Sequence, residues 1–252
     1  MRYQIVAAFI ALMAAPGAGA QSIAAQIAAG DREYSAMNAP LALALYEKAI
    51  ASDSSNFEAQ WKAARSAIDI GSYLPDASMR TAMYVKGERF ARRAVSLRAT
   101  DAEGHFSLAR ALGKMALSQS PRGRVRYGTE VRSEALECLK AQPRHAGCLH
   151  VMGMWNAEVM RLNGLARLVA KNILGGRVLG SATWKAAVSY MEEAVAIEPD
   201  RIVHWVDLGG VYRDVGDRRK ARSAFETALA LRLSDVNDPH YKAQARTDLS
   251  KL

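Results

Sequence analysis

The stretch WVDLGGVYRDVGDRRKARSAFETA, residues 205–228, decides the fold. Large apolar residues and small residues recur in it at helical spacing on both sides of a polar turn at Gly216 and Asp217. Two helices approach each other closely only where small side chains meet, so we expect Gly209 and Ala221 to lie at a helix crossing. Trp205 and Phe225 are among the large residues that would fill the space around it. The stretch therefore predicts two antiparallel helices joined by a tight turn.

This large and small spacing is that of a tetratricopeptide (TPR) unit, and it recurs along the chain. We therefore predict an all-α, TPR-like, right-handed solenoid of about five helix pairs over residues 22–233, with residues 239–252 as a capping helix. Strand-like alternation of polar and apolar residues is absent. The second-helix positions of the earlier copies are Ala42, Tyr46 and Ala49; Gly87, Ala91 and Ala94; Val131, Ala135 and Cys138; and Ala187, Met191 and Ala194.

The N-terminal residues 1–20 have the pattern of a secretory signal peptide. Arg2 precedes an uncharged apolar stretch, and Ala18 and Ala20 occupy the positions where a signal peptidase requires small side chains. We predict a mature chain of residues 21–252 that is periplasmic or secreted, in an oxidising compartment. The alternative is an uncleaved signal that tethers the same domain to a membrane.

Composition and charge restrict the class of partner. The chain is 50% hydrophobic and 23% charged, which suits a folded domain, and its net charge of +9 favours acidic partners. Nucleic acid is not expected, because the chain lacks a recognition motif for it and an exported protein rarely meets it. A protein or acidic peptide and an anionic lipid remain, and the sequence does not indicate an oligomeric state.

The segment from Val131 to Val159, with His150-Val151-Met152-Gly153-Met154-Trp155 at its centre, resembles the regulator of microtubule dynamics protein family. A long insertion at about residues 158–182 strengthens the resemblance, which spans roughly residues 40–250. It implies a TPR-like fold in which a helix extension runs from Leu162 to Gly180. It also implies microtubule association in animal members and, for a member at organelle contacts, lipid handling. Because an exported chain does not meet cytoplasmic tubulin, we expect this chain to share the fold of the family but not its association with microtubules.

Candidate binding residues lie on the predicted first helices, which line the concave groove of such a solenoid. Pairs of an aromatic ring and a guanidinium four residues apart share one helical face and suit an acidic ligand. The first row of groove positions is Trp61, Phe106, His150 and Val206, and the second row is Arg65, Arg110, Met154 and Gly210. The alternatives are that the arginines pair with carboxylates of the chain and that Trp61 and Phe106 belong to the core.

Residues 159–191 contain cations and leucines but no acidic residue, which predicts a basic amphipathic helix. Such a helix can lie on an anionic membrane surface. The alternative is that its apolar stripe packs on the solenoid. The candidate contacts are Arg161, Arg167, Lys171 and Arg177, together with Leu162 and Leu165.

Cys138 and Cys148 flank the predicted turn at Pro143, where either a disulfide or two buried thiols would fit. A zinc site is not expected, because a helix beginning near residue 146 places Cys148 and His150 about 200° apart around its axis. We also find no nucleophile with a base, no paired carboxylates and no phosphate-binding loop. The sequence therefore predicts no metal, no cofactor and no enzyme.

The leading hypothesis is an exported, non-enzymatic scaffold that binds an acidic or C-terminal peptide in its groove. The alternative is a lipid-binding or membrane-surface module that uses the basic amphipathic helix. A microtubule-associated function, as in animal members of the family, and an enzyme site assembled across repeats are the remaining interpretations.

Overall fold

The computed structural model describes residues 18–116, 119–172 and 176–252, and every regular element in them is helical. The predicted all-α class is therefore confirmed. The elements are α1 (Ala18–Ser35), α2 (Ala39–Ser52), α3 (Phe57–Tyr73), α4 (Ala77–Leu97), α5 (Ala102–Ala116), α6 (Pro121–Ala141), α7 (Ala146–Arg161), α8 (Gly164–Asn172), a 3-10 turn (Arg177–Ser181), α9 (Trp184–Ile197), α10 (Ile202–Asp214), α11 (Arg218–Ala230) and α12 (Asp238–Leu249).

The helices pack as five consecutive pairs, as the repeats predict. The pairs are α1 with α2, α3 with α4, α5 with α6, α7 with α9, and α10 with α11. The last helix, α12, packs on α10 and α11 and covers the last pair, which is the predicted capping role.

The predicted signal peptide lies largely in residues 1–17, which are outside the described residues. Helix α1 begins at Ala18, before the predicted mature start at Gln21. None of the helices in the described ranges has both the length and the apolar character that a bilayer span requires.

Most helices begin at a side chain that caps the first turn. Asn56, Asp76, Thr183 and Asp217 each accept a hydrogen bond from the backbone N–H three residues later. A cap of this kind stabilises a helix by about 1 kcal/mol, because it satisfies an N–H group that has no partner within the helix. These residues therefore set where the helices begin.

The helix crossings are closed by glycine, as the stretch at 205–228 predicts. A Cβ atom on Gly209 would lie 2.6 Å from Cε1 of Phe225, and one on Gly153 would lie 2.5 Å from Cγ of Met191. Phe225 and Met191 are both 0% exposed. The large residue of each second helix therefore fills the space that the glycine of the first helix leaves open.

The insertion is not the continued helix that the family resemblance implies. Helix α7 ends at Arg161, Leu162 has an extended backbone, and the Asn163 side chain accepts from the N–H of Ala166 to begin α8. Helix α8 packs mainly on the 3-10 turn and less extensively on α6. We call residues 159–191 the basic segment. The break separates most of this segment from α7.

The connection between α11 and α12, residues 231–237, returns to the first repeats, and we call it the return segment. Asn237 Nδ2 donates to the backbone oxygen of Asp69 at 3.3 Å. Val236 packs against the N-terminal part of the core, and the His240 ring lies parallel to Tyr73 at 6.5 Å between centroids. The last repeat is thereby tied to α3, which the repeat pattern did not predict.

Candidate functional site

The first helices of the pairs, α1, α3, α5, α7 and α10, contact one another in sequence order. We call the surface that they form the inner face. It corresponds to the groove that the sequence analysis predicts, and the two predicted rows lie on its helices. The structure divides these residues into those that already have partners within the chain and those that do not.

Arg110 belongs to the first class. Its Nη2 donates to Oδ1 of Asp69 at 2.7 Å, and the Tyr34 hydroxyl donates to Oδ2 of the same carboxylate at 2.8 Å. Asp69 is 1% exposed. Burial and the Asp69 charge raise the pKa of Tyr34. The contacts join α1, α3 and α5, so Arg110 has the intramolecular carboxylate partner that we considered as an alternative.

Phe106 and His150 also serve contacts between repeats. The Phe106 ring packs against Gly147 and lies 4.8 Å from the His145 ring centroid. His150 Nε2 lies 2.8 Å from Oδ2 of Asp207 on α10. Both side chains are half-buried. We therefore assign both to packing between neighbouring repeats.

Two of the remaining predicted row members, Met154 and Val206, also serve packing. Met154 is half-buried against the C-terminal part of the core, and Val206 is buried there. At Gly210 an added Cβ would lie 3.8 Å from Nη2 of Arg161, which is an ordinary contact, so packing does not require glycine at this position.

Arg65 and Trp61 belong to the second class. The Arg65 guanidinium lies 3.6 Å from the Tyr34 ring centroid and 5.1 Å from that of Trp61. Among the described residues no carboxylate lies within ion-pairing distance of Arg65, and its buried Nε has no acceptor. Arg65 lies close enough to Tyr46 to oppose the rise in the pKa of Tyr46 that burial and Asp31 cause. The half-buried guanidinium is thus held by aromatic rings and lacks a paired anion.

Two inner-face residues that sequence reasoning missed continue the predicted rows by one helical turn. Asp69 follows Arg65 by four residues, and Lys114 follows Arg110 by four. Burial and the Arg110 charge lower the pKa of Lys114. Extending the four-residue spacing beyond the TPR packing positions would have found both residues.

The return segment places acidic groups on the inner face. Arg201 Nη2 donates to Oδ2 of Asp235 at 3.3 Å, and Asp235 is one of the charges that raise the pKa of Tyr34. Asp235, Asn237 and Asp238 are all buried. An acidic turn of the chain therefore already contacts both α3, through Asn237, and Arg201 at the start of α10. Its cluster of Ser, Asp and Asn is typical of an ordinary loop in the sequence, which is why the contact was missed.

Cys138 and Cys148 are joined in a disulfide, with a Cα separation of 6.4 Å, so the alternative of two buried thiols does not hold. His145 lies beside them, and its Nδ1 accepts from the Cys148 N–H at 3.2 Å. The ligand atoms of these three residues lie within 4.8 Å of one another. Because thiolates are the metal-binding form of cysteine, the bonded sulfurs do not offer a metal site.

The residues of the basic segment differ in their surroundings. Arg161 pairs with Asp214 at 2.6 Å and with Glu158 at 2.5 Å, whereas Arg177 is exposed. Arg167 Nη1 donates to the sulfur of Met160 at 2.9 Å. The side chain of Lys171 lies outside the described residues. Arg161 is thus an ion-pairing residue, and the exposed charge of this surface lies farther along the chain.

A family model that matches almost the whole described chain shows which protein family the chain belongs to. The model of the family described as regulator of microtubule dynamics protein 1-3 matches residues 24–252. The chain belongs to this family. The match confirms the resemblance seen around Gly153-Met154-Trp155. No curated protein sequence matches this family member.

Solved structures similar to this family member include TPR proteins. A thermophilic TPR protein from Thermus thermophilus is 18% identical, with a TM-score of 0.61 over 89% of this chain and 99% of that one. MamA from Desulfovibrio magneticus RS-1 is 13% identical, with a TM-score of 0.49 over 86% and 97%. YrrB, described as having an unusual peptide-binding site, is 15% identical, with a TM-score of 0.47 over 94% and 99%. At these identities the similarity to the first of them shows the fold alone.

We expect His204 to make the stability of this family member sensitive to acid. Burial, His150 and Arg201 lower the pKa of His204 to about 2. In the unfolded chain the pKa returns to about 6.5, so the unfolded state binds a proton that the folded state does not. The free energy of unfolding therefore falls as pH drops below about 6.5, by about 2 kcal/mol between pH 7 and pH 5. Urea denaturation of the wild type and of His204→Gln at both pH values measures this contribution.

The exposed His240→Gln variant serves as the control, with the pH dependence of the wild type. His105 acts in the opposite direction, because its hydrogen bond to Glu134 raises its pKa. Its contribution is present at low pH and is lost as pH rises through the folded pKa. An undiminished acid sensitivity in His204→Gln would show that His204 is not the responsible group.

Proposed function

We propose that this chain is an exported, non-enzymatic scaffold that binds an extended acidic segment of a partner protein on its inner face. The observation that carries the proposal is the half-buried Arg65 guanidinium, stacked on Tyr34 and beside Trp61, with no carboxylate partner among the described residues. Arg110 has its partner within the chain, so the anchor that we propose is Arg65 with Trp61.

The chemistry of this position suits a carboxylate. A guanidinium presents a planar set of N–H donors, and the aromatic rings hold it in place, so little side-chain freedom is lost on binding. The Trp61 indole N–H has no acceptor among the described residues, and its ring is half-buried. An aspartate or glutamate side chain, or a C-terminal carboxylate, would bring the missing charge and acceptors.

The return segment supports an acidic ligand, because this face already accommodates acidic groups of the chain. The chain's own acidic stretch lies on the same face, with Asp235 beside Arg201 and Asn237 hydrogen-bonded to the backbone of α3. A partner segment would occupy the neighbouring part of the face, over α1 and α3. The inner face would then hold acidic groups from the chain's own return segment and from the partner.

The Cys138–Cys148 disulfide supports export, because disulfides persist in oxidising compartments and are rare where thiols are kept reduced. Export would separate the chain from cytoplasmic tubulin, so we do not extend microtubule association to it. We propose no catalytic role, because the inner face presents paired ions and packed rings rather than a nucleophile with its base.

Selection of peptides from a displayed random decapeptide library by the purified chain tests the proposal. We expect the selected peptides to be rich in Asp and Glu. Arg65→Ala is expected to weaken their binding about tenfold or more, because a hydrogen bond to a charged group contributes about 1.5–3 kcal/mol. Fluorescence anisotropy of labelled peptides gives the dissociation constants, and circular dichroism checks that the variant is folded.

Arg98→Ala is the matched control. Arg98 also stacks on an aromatic ring, at 4.6 Å from the Phe57 centroid, but it follows the second helix α4 and is exposed. Its loss should leave peptide binding unchanged. Selection without acidic enrichment, or equal binding by Arg65→Ala and wild type, would disprove the anchor.

A further inference from the structure

Helix α8 and the break that precedes it expose a row of leucines. Leu162 is 38% exposed, Leu165 is 73% exposed and Leu168 is 56% exposed. Residues three apart share a face of a helix, so Leu165 and Leu168 form one apolar stripe with Leu162 at its end. The alternative that the apolar stripe of this segment packs on the solenoid does not hold for these leucines.

The opposite side of α8 accounts for its attachment. Ala170 is 4% exposed, and its backbone oxygen accepts from the Gly176 N–H at 3.0 Å. A Cβ on Gly176 would lie 2.7 Å from Cγ1 of Val125 on α6. Helix α8 is thus fixed to α6 and the 3-10 turn through Ala170 and Gly176, and its exposed leucines take no part in these contacts.

Cations lie along the same segment and on α6, against which α8 packs, and none of residues 159–191 is acidic. Arg177 and Lys185 are exposed and have no carboxylate within ion-pairing distance in the described part of the chain. The same holds for Arg122 and Arg126, which flank the buried Val125. The region therefore joins uncovered leucines to positive charge that the chain itself does not neutralise.

We propose that this surface, the leucine stripe of α8 with the arginines and lysine of the same region, docks on a membrane that contains anionic lipids. The leucines enter the boundary between headgroups and acyl chains, and the cations remain at the level of the lipid phosphates. A short stripe of this size binds weakly alone, so the apolar and electrostatic contributions are both required. Binding should therefore weaken as salt increases.

The surface suits a bilayer better than a protein. The break at Leu162 and Asn163 sets α8 apart from α7, and its main neighbours are the 3-10 turn and α6. The stripe is thus carried on a short helix at the side of the pairs rather than in a groove. Its charge has a single sign, which matches the uniform negative charge of an anionic leaflet.

Flotation of the full chain with lipid vesicles tests the proposal. We expect the wild type to float with vesicles of phosphatidylcholine and phosphatidylglycerol in equal amounts, and not with phosphatidylcholine alone. Leu165→Ser with Leu168→Ser is expected to lower the vesicle-bound fraction about tenfold, because the apolar area that enters the interface is lost. Both side chains are exposed, so the double variant keeps its fold, which circular dichroism verifies.

The matched control is Leu41→Ser with Val85→Ser, which removes two comparably exposed side chains from α2 and α4. It should float as the wild type does. Failure of the wild type to float would overturn the proposal, and so would flotation that the α8 variant leaves unchanged. The peptide-binding result for Arg65 is independent of this outcome, because Arg65 lies on the inner face.

Discussion

Replacement of Asp69 by Ala is expected to lower the free energy of unfolding by about 3–5 kcal/mol, because it leaves the Arg110 guanidinium without its buried counter-ion. Asp69 is 1% exposed and accepts from both Arg110 at 2.7 Å and Tyr34 at 2.8 Å. No other carboxylate lies within ion-pairing distance of Arg110 in the described residues. Urea denaturation followed by circular dichroism gives the free energy directly.

The Arg110→Ala variant and the double variant separate an unpaired charge from a lost contact. If the cost comes from the charge that remains, Asp69→Ala with Arg110→Ala should be destabilised by less than the sum of the two single variants. The exposed Asp200→Ala should change stability by no more than about 0.5 kcal/mol. A full additive loss in the double variant would contradict this account of the site.

The same contact explains why the binding test uses Arg65 and not Arg110. Any loss of ligand by an Arg110 variant would be mixed with loss of stability, since Arg110 joins α5 to α3 through Asp69. Arg65 stacks on rings and has no such partner, so its replacement reports on binding more directly. The distinction depends on a side-chain pair that only the structure reveals.

The repeats could be predicted from the sequence because their pattern is local. A TPR pair needs small residues at the crossing and large residues around it, and both lie within about 34 residues. Gly209 and Phe225 show this in one unit, and the other copies repeat it. The five helix pairs and the capping helix follow from the spacing, and the structure confirms them, whereas the separate helix α8 does not follow from it.

The surroundings of the site could not be predicted in the same way because they depend on distant contacts. Arg110 and Asp69 are 41 residues apart, and Asn237 meets Asp69 across 168 residues. Repeat spacing indicates which residues face the groove but not which of them neutralise one another. The return segment has no helical periodicity, so the repeat pattern of the sequence does not indicate its contact with α3.

The insertion shows a different limit. Its charge and leucine content predicted an amphipathic helix, and α8 is one, but the break at Leu162 and Asn163 was not predicted. Asn163 caps α8 through its side chain, as Asn38 and Asn56 cap α2 and α3. The capping signal was therefore present in the sequence, although the family resemblance implied a continuous helix. The break leaves the leucines of α8 exposed.

Phe225→Ala is expected to lower the free energy of unfolding by about 3–5 kcal/mol, because removal of a fully buried ring leaves a cavity that rigid helices fill poorly. Phe225 is 0% exposed and its Cε1 would lie 2.6 Å from a Cβ on Gly209. The ring therefore closes the crossing of α10 and α11. Urea denaturation measures the loss in the free energy of unfolding, and thermal unfolding shows the accompanying fall in the melting temperature.

Two variants locate the cause of that loss at the crossing. Gly209→Ala forces a methyl group against the ring and should cost about 1–3 kcal/mol as overpacking. In the double variant Gly209→Ala with Phe225→Leu, the smaller leucine makes room for the methyl group. The double variant should therefore be more stable than the summed effects of Gly209→Ala alone and Phe225→Leu alone predict.

Because each repeat is stabilised mainly by its neighbours, loss of this crossing should also loosen α12. Hydrogen exchange should then rise first in α10 to α12, and uniform exchange along the chain would show instead that the return segment couples both ends into one cooperative unit.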